Sequence, residues 1–169
     1  MVFAALMVAI ALQSASGVVL RASDVRNLIT RQGAAGALSH LFQDDSKWDA
    51  VLEGVATGTP EWLSIAADLR SVSDAHATET LVMAIQEALP KRPRGVLRLV
   101  THGTFTAADA CGMYGFGQIE DERPVTLLLG LVDKRIAAVS RVDALEVATA
   151  RQACLQELRI LRRDLQGNR

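Results

Sequence analysis

Apolar residues recur at helical spacing through most of the chain, most plainly in two consecutive segments that carry the same stripe. Trp48, Val51, Leu52 and Val55 fall at i, i+3, i+4 and i+7, and Trp62, Ile65, Ala66 and Leu69 do so again. Residues so spaced lie on one face of an α-helix and give it a single side to bury. Gly58 follows the first stripe, Thr59 stands where a cap belongs, and Pro60 fits a first helical turn, where a missing N–H costs nothing. Ala34, Leu38, Leu41 and Phe42 make an earlier stripe. Leu81, Ile85, Ala88 and Leu89 make a later one, with Ser73 or Asp74 as its cap and Pro90 at its end. Short turns oblige successive helices to run antiparallel, and small Ala contacts between such hairpins are how HEAT-type solenoids are built. Ser23 to Val100 therefore reads as an array of short helical hairpins, HEAT-like or an irregular helical domain, with no strict repeat period.

The periodicity lapses over residues 101–124, THGTFTAADACGMYGFGQIEDERP, which are rich in Gly, Thr and acidic residues and read as an irregular loop. Two longer helices then close the chain. The first carries Leu128, Leu131, Val132, Ile136 and Val139; the second carries Val147, Ala150, Cys154, Leu158, Leu161 and Leu165. Arg162 and Arg163 suit the end of that last helix by opposing the negative pole of its dipole. The fold class expected is all-α.

The two cysteines, Cys111 in the loop and Cys154 on the last apolar stripe, acquire meaning from the opposite end of the chain. Val2 to Leu12 is an unbroken apolar run followed by Gln13-Ser14-Ala15-Ser16-Gly17, the pattern of a signal peptide with its cleavage site, although no Lys or Arg precedes Arg21. Residues 1–16 read as the leader and 17–169 as a single helical domain, periplasmic or secreted. In an oxidising compartment Cys111 and Cys154 would form one disulfide, stapling loop to helix. With a formal net charge of −1 and acids and bases interspersed, the chain has no footprint for nucleic acid or an anionic membrane. No second apolar stretch is long enough to span a bilayer, so no stable span is expected once the leader is cleaved.

Candidate chemistry is sparse. His40 neighbours an apolar stripe and reads as a partly buried, hydrogen-bonded histidine. His76 falls in a helix first turn, where the dipole disfavours its protonated form. His102 sits in the irregular segment beside Thr101, Thr104, Thr106 and Asp109, and loops carry function more often than cores do. The cysteines form no C-x-x-C pair and no H-E-x-x-H is present, so neither a metal nor a cofactor is expected. The glycines of Gly112 to Gly117 lack the preceding strand and following Lys of a phosphate loop. Glu120, Asp121 and Glu122 read as the acidic first turn of the helix after Pro124 rather than as catalytic carboxylates. Arg151, Arg159, Arg162 and Arg163 read as a solvated helix face, and Trp48 and Trp62 as core. No catalytic residue is identified, and the chain leans away from being an enzyme.

The segment SKWDAVLEGVATGTPEWLSIAADLRSVSDAHATETLVMAIQEALPKRP, followed by the cysteine-containing loop, resembles small exported all-helical proteins of Gram-negative bacteria that carry no assigned activity. The resemblance implies export and a disulfide, and no reaction. The function expected is a periplasmic, non-enzymatic protein-interaction module whose partner is an envelope or secreted protein. The loop residues His102, Tyr114 and Phe116 are the candidate contact surface. An inhibitor or immunity protein against a secreted enzyme or toxin is the alternative. A small hydrolase using His102 with Asp109 or Glu120 stands third.

Overall fold

The computed structural model describes residues 19–112 and 124–167, and these are helical almost throughout. The helices are α1 (Ala22–Phe42), α2 (Asp45–Ala56), α3 (Pro60–Arg70), α4 (Ala75–Ala88), α5 (Pro93–Thr101), α6 (Ala107–Cys111), α7 (Val125–Ser140) and α8 (Ala148–Gly167), with a 3-10 turn at Leu145–Val147 leading into α8. Asp44 caps α2 by accepting from the Lys47 N–H at 3.2 Å, and Asp74 caps α4 by accepting from the Ala77 N–H at 2.9 Å. Thr59 occupies the cap of α3 without a side-chain bond, so Pro60 alone marks that start. Helix α1 is two helical stretches, because Gly33 has φ +72° and ψ 167° and turns the chain out of helical geometry. Only a residue without Cβ adopts that conformation freely.

Helices α1, α3 and α5 pack in succession as one layer, and α2, α4 and α6 as a second, with sequence neighbours bridging the two. This is a stack of helical hairpins, each burying its stripe against the next pair. The C-terminal α7 and α8 pack against one another, and α8 also covers α5, α6 and the 3-10 turn. The core follows the stripes: Trp48, Val51 and Val55 of α2, Trp62, Ile65, Ala66 and Leu69 of α3, and Leu81, Ile85, Ala88 and Leu89 at α4 are all buried. On α8 the whole stripe from Val147 through Leu165 is buried.

Both tryptophans are placed by tertiary contacts. The Trp62 indole lies so close over α2 that a Cβ at Gly54 would stand 2.3 Å from it. Trp48 meets Phe42 edge to face at 5.2 Å, and its Nε1–H donates to Thr80 Oγ1 at 3.1 Å, which satisfies the buried indole. Polar ties fasten the layers at the surface. Arg26 of α1 pairs with Asp68 of α3 and donates to Ser64 Oγ at 2.8 Å. Lys91 Nζ donates to the Ala56 carbonyl at 2.7 Å, capping the last turn of α2. Arg94 and Arg98 of α5 converge on Glu146, and Arg162 of α8 bonds Asp133 of α7 at 2.8 Å.

The hydrogen bond from Arg94 holds the Glu146 carboxyl below the usual glutamate range. A carboxylate whose folded-state pKa lies below its unfolded one contributes stability above the ordinary range and loses it as pH falls through the folded value. Glu146→Gln should therefore be slightly less stable than the wild type at neutral pH, and the two should converge in strong acid; paired chemical denaturation curves along a pH series check this. Gly54→Ala should cost about 1–3 kcal/mol by forcing Trp62 from its seat, read as a lowered midpoint with a red-shifted, more solvated tryptophan emission.

Candidate functional site

The part of the molecule that stands apart from simple helix stacking is the junction between α5 and α8. Helix α5 ends with a paired carbonyl lock: the Gly103 N–H donates to the Val100 carbonyl at 3.0 Å and the Thr104 N–H to the Leu99 carbonyl at 3.1 Å. Gly103 has φ +73°, the left-handed conformation that this C-terminal motif requires. His102 is the C-cap residue just before it and is exposed. Phe105 then turns into the core, 1% exposed, with the Arg70 guanidinium 5.9 Å above its ring.

The chain next forms α6 over Ala107–Cys111, a short helix inside the stretch expected to be irregular. A reciprocal capping box builds it: Thr106 Oγ1 accepts from the Asp109 N–H at 3.0 Å, and Asp109 Oδ2 accepts from the Thr106 N–H at 2.9 Å. The signal was present in the sequence as Thr106-x-x-Asp109, but α6 spans only one or so turns and has no stripe for periodicity to find. A helix this short is unstable by itself, and tertiary bonds supply what it lacks. Gln86, the buried polar side chain of α4 at 2% exposure, donates through Nε2 to the Asp109 carbonyl at 2.8 Å. Nothing in the pattern around Gln86 distinguished it from a solvated glutamine.

Cys111 closes α6 and is bonded to Cys154 of α8, with their Cα atoms 5.4 Å apart and both side chains fully buried. Gly112 follows against α6, where a Cβ would stand 2.4 Å from the Ala108 carbonyl oxygen. Tyr114 and Phe116 lie outside the described residues, three and five positions after Cys111. The chain is described again from Pro124, and α7 starts at Val125 with no acidic residue in its first turn. Glu120, Asp121 and Glu122 lie outside the described residues. The end of α6 is joined covalently to α8 through Cys111, and α7 packs along the same α8.

The other candidates are accounted for individually. The Asp109 carboxylate is engaged in the capping box rather than facing a histidine. His76 rests its ring edge to face on Phe42 at 5.5 Å. His40 is exposed, correcting its expected partial burial, because its helical position falls one step outside the buried Ala37, Leu38 and Leu41. Among the described residues no three His, Cys, Asp or Glu side chains are grouped to hold a metal ion. Also among the described residues, no helix is long and apolar enough to cross a membrane. On α7, burial lowers the Arg135 pKa to about 10, with the Glu87 charge opposing that fall.

Cys111 and Cys154 are separated by 43 positions, and closing a loop of that length stabilises the fold by about 4 kcal/mol in the chain-entropy model. Reduction, or the double change Cys111→Ser with Cys154→Ser, should lower stability by up to that amount in urea denaturation. Gln86→Leu should add to the loss by leaving the Asp109 carbonyl unpaired, roughly 1–3 kcal/mol, and should raise amide exchange across α6 more than across α3.

The chain matches no protein-family model and no solved structure. It is similar to one curated protein of Bacillus subtilis (strain 168), a probable glycolate oxidase iron-sulfur subunit, at 26% identity over 156 residues, which is 82% of this chain and 34% of that protein. The chain thus spans about a third of the length of that relative.

Proposed function

We propose that the protein is an exported, non-enzymatic interaction module of the cell envelope, which presents the segment around Tyr114 and Phe116, together with His102 at the end of α5, to a protein partner. The observation that carries this reading is the bond between Cys111 and Cys154. Structural disulfides persist in oxidising compartments and are rare where thiols are kept reduced, which agrees with the signal-like pattern of residues 1–16. The position of the bond supports the rest of the reading. It fixes the root of a segment containing the chain's one tyrosine and one of its four phenylalanines, and aromatic side chains are the commonest anchors of protein interfaces. A pre-fixed root lowers the ordering cost that a loop incurs on binding.

The iron–sulfur chemistry in the name of the similar Bacillus protein does not transfer. Such clusters are held by cysteine thiolates, generally four, whereas this chain has two cysteines and both are joined in the disulfide. The donor set does not fit a cluster.

The test is cell fractionation with thiol trapping, followed by affinity capture from envelope extract with a C-terminally tagged chain. The expected result is recovery in the envelope fraction with no alkylatable thiol, and a stoichiometric partner lost on Tyr114→Ala with Phe116→Ala at unchanged helix content. A partner enzyme that the protein inhibits would make it an inhibitor. Cytoplasmic recovery with two free thiols, or capture indifferent to both aromatic changes, would overturn the reading.

A further inference from the structure

Two surfaces outside the disulfide junction have opposite charge and the same pitch. The first is a groove of about 260 Å³ between α2 and α4, floored by Leu52, Ala56 and Met83 and rimmed by Asp49, Glu53 and Glu87. Met83 is 36% exposed there. Asp49 and Glu53 make no ion pair among the described residues, and Glu87 is in the field of Arg135. The second is the outer face of α8, where Arg159 and Arg163 flank Ile160, itself 38% exposed. Neither arginine makes an ion pair among the described residues, in contrast to Arg162 on the adjoining face, which bonds Asp133.

The spacing is what joins them. Asp49 and Glu53 are four residues apart on α2, Met83 and Glu87 four apart on α4, and Arg159 and Arg163 four apart on α8. Four residues advance about 6 Å along any α-helix, so an α8 laid along the groove meets successive carboxylates with successive guanidinium groups. Ile160 falls between them, over Leu52 and Met83. Within each helix, the like-charged i, i+4 pair is mildly destabilising, and juxtaposing the two surfaces relieves both. The groove is smaller than the roughly 300–1,000 Å³ typical of small-molecule sites, and its open trough suits side chains of a helix. The uncharged run Val2 to Leu12 has nothing to match the three carboxylates.

We infer that the Arg159–Ile160–Arg163 face of α8 in one copy docks into the α2–α4 groove of a second copy. Each copy then turns its groove toward one neighbour and its α8 toward another, a heterologous contact that propagates into a ring or a short chain. The inference does not rest on the Tyr114 and Phe116 segment, and loss of partner capture through those residues leaves it standing.

The experiment is sedimentation velocity on the purified, disulfide-intact protein over a concentration series. It is run at about 0.01 M and about 0.15 M ionic strength, where charges are screened over about 30 Å and about 8 Å. The expected result is reversible association beyond the dimer, weaker at the higher salt. Asp49→Lys with Glu53→Lys should weaken it on the order of tenfold or more, and so should Arg159→Glu with Arg163→Glu. Circular dichroism should show both variants folded. Mixing the two variants should restore association, because each groove then meets an α8 of opposite sign. A monomer at every concentration and salt would overturn the inference. So would association unaffected by either reversal, association lost instead on Tyr114→Ala with Phe116→Ala, or a mixture that stays dissociated.

Discussion

Burial of the α8 stripe is the constraint on which the C-terminal half of the molecule depends. Ala150, Cys154, Leu158, Leu161 and Leu165 present one continuous apolar face, and α5, α6, α7 and the 3-10 turn each cover part of it. The shortest of those pieces could not be ordered independently. Helix α5 has nine residues and α6 five, below the length at which an isolated helix is stable in water. Against α8 they bury Val96, Leu97, Leu99, Ala110 and Cys111. Charge pairs at the edge, Glu146 with Arg94 and Arg98 and Asp133 with Arg162, set orientation more than stability, since exposed ion pairs are individually weak.

The N-terminal layers reach the same end by a different route. There each stripe is buried by the helix one or two places away in sequence, so α1 to α5 form by successive stacking, with Gly54 and Trp62 marking where two helices approach most closely. The disulfide ties the two regimes together. Gln86 belongs to α4 and holds the carbonyl of Asp109; Cys111, two residues further along α6, holds α8. A short helix thereby transmits position from the stacked layers to the closing pair, and the root of the following segment inherits that rigidity. A single buried polar side chain and a single covalent bond do what five residues of helix could not.

Charged residues on this molecule divide into those used internally and those left unmatched. Arg26, Arg94, Arg98 and Arg162 all find carboxylates on another element. Among the described residues Asp49, Glu53, Arg159 and Arg163 do not, although they occupy equally regular positions on their helices. A helix face with unmatched, evenly pitched charge around an exposed aliphatic residue is the surface on which the proposed contact between copies rests.

Helical class, the stripes of α2, α3, α4, α7 and α8, and a cap for α4 at Ser73 or Asp74 were determined by the sequence alone, because periodicity and capping involve residues within four positions of one another. The pairing of Cys111 with Cys154 was legible too, since two cysteines admit one bond. What only the tertiary structure decided involves partners tens of residues apart. Helix α6 exists because Gln86 and Cys154 hold it, Glu146 matters because α5 brings two arginines to it, and the break in α1 shows only in the non-helical backbone of Gly33. The segment carrying Tyr114 and Phe116 falls outside the described residues, and the contact role proposed for it rests on its composition and on the anchored Cys111 before it. Local pattern specifies which helices form; the contacts that select their arrangement have no local signature, because their energy arises only when distant surfaces meet.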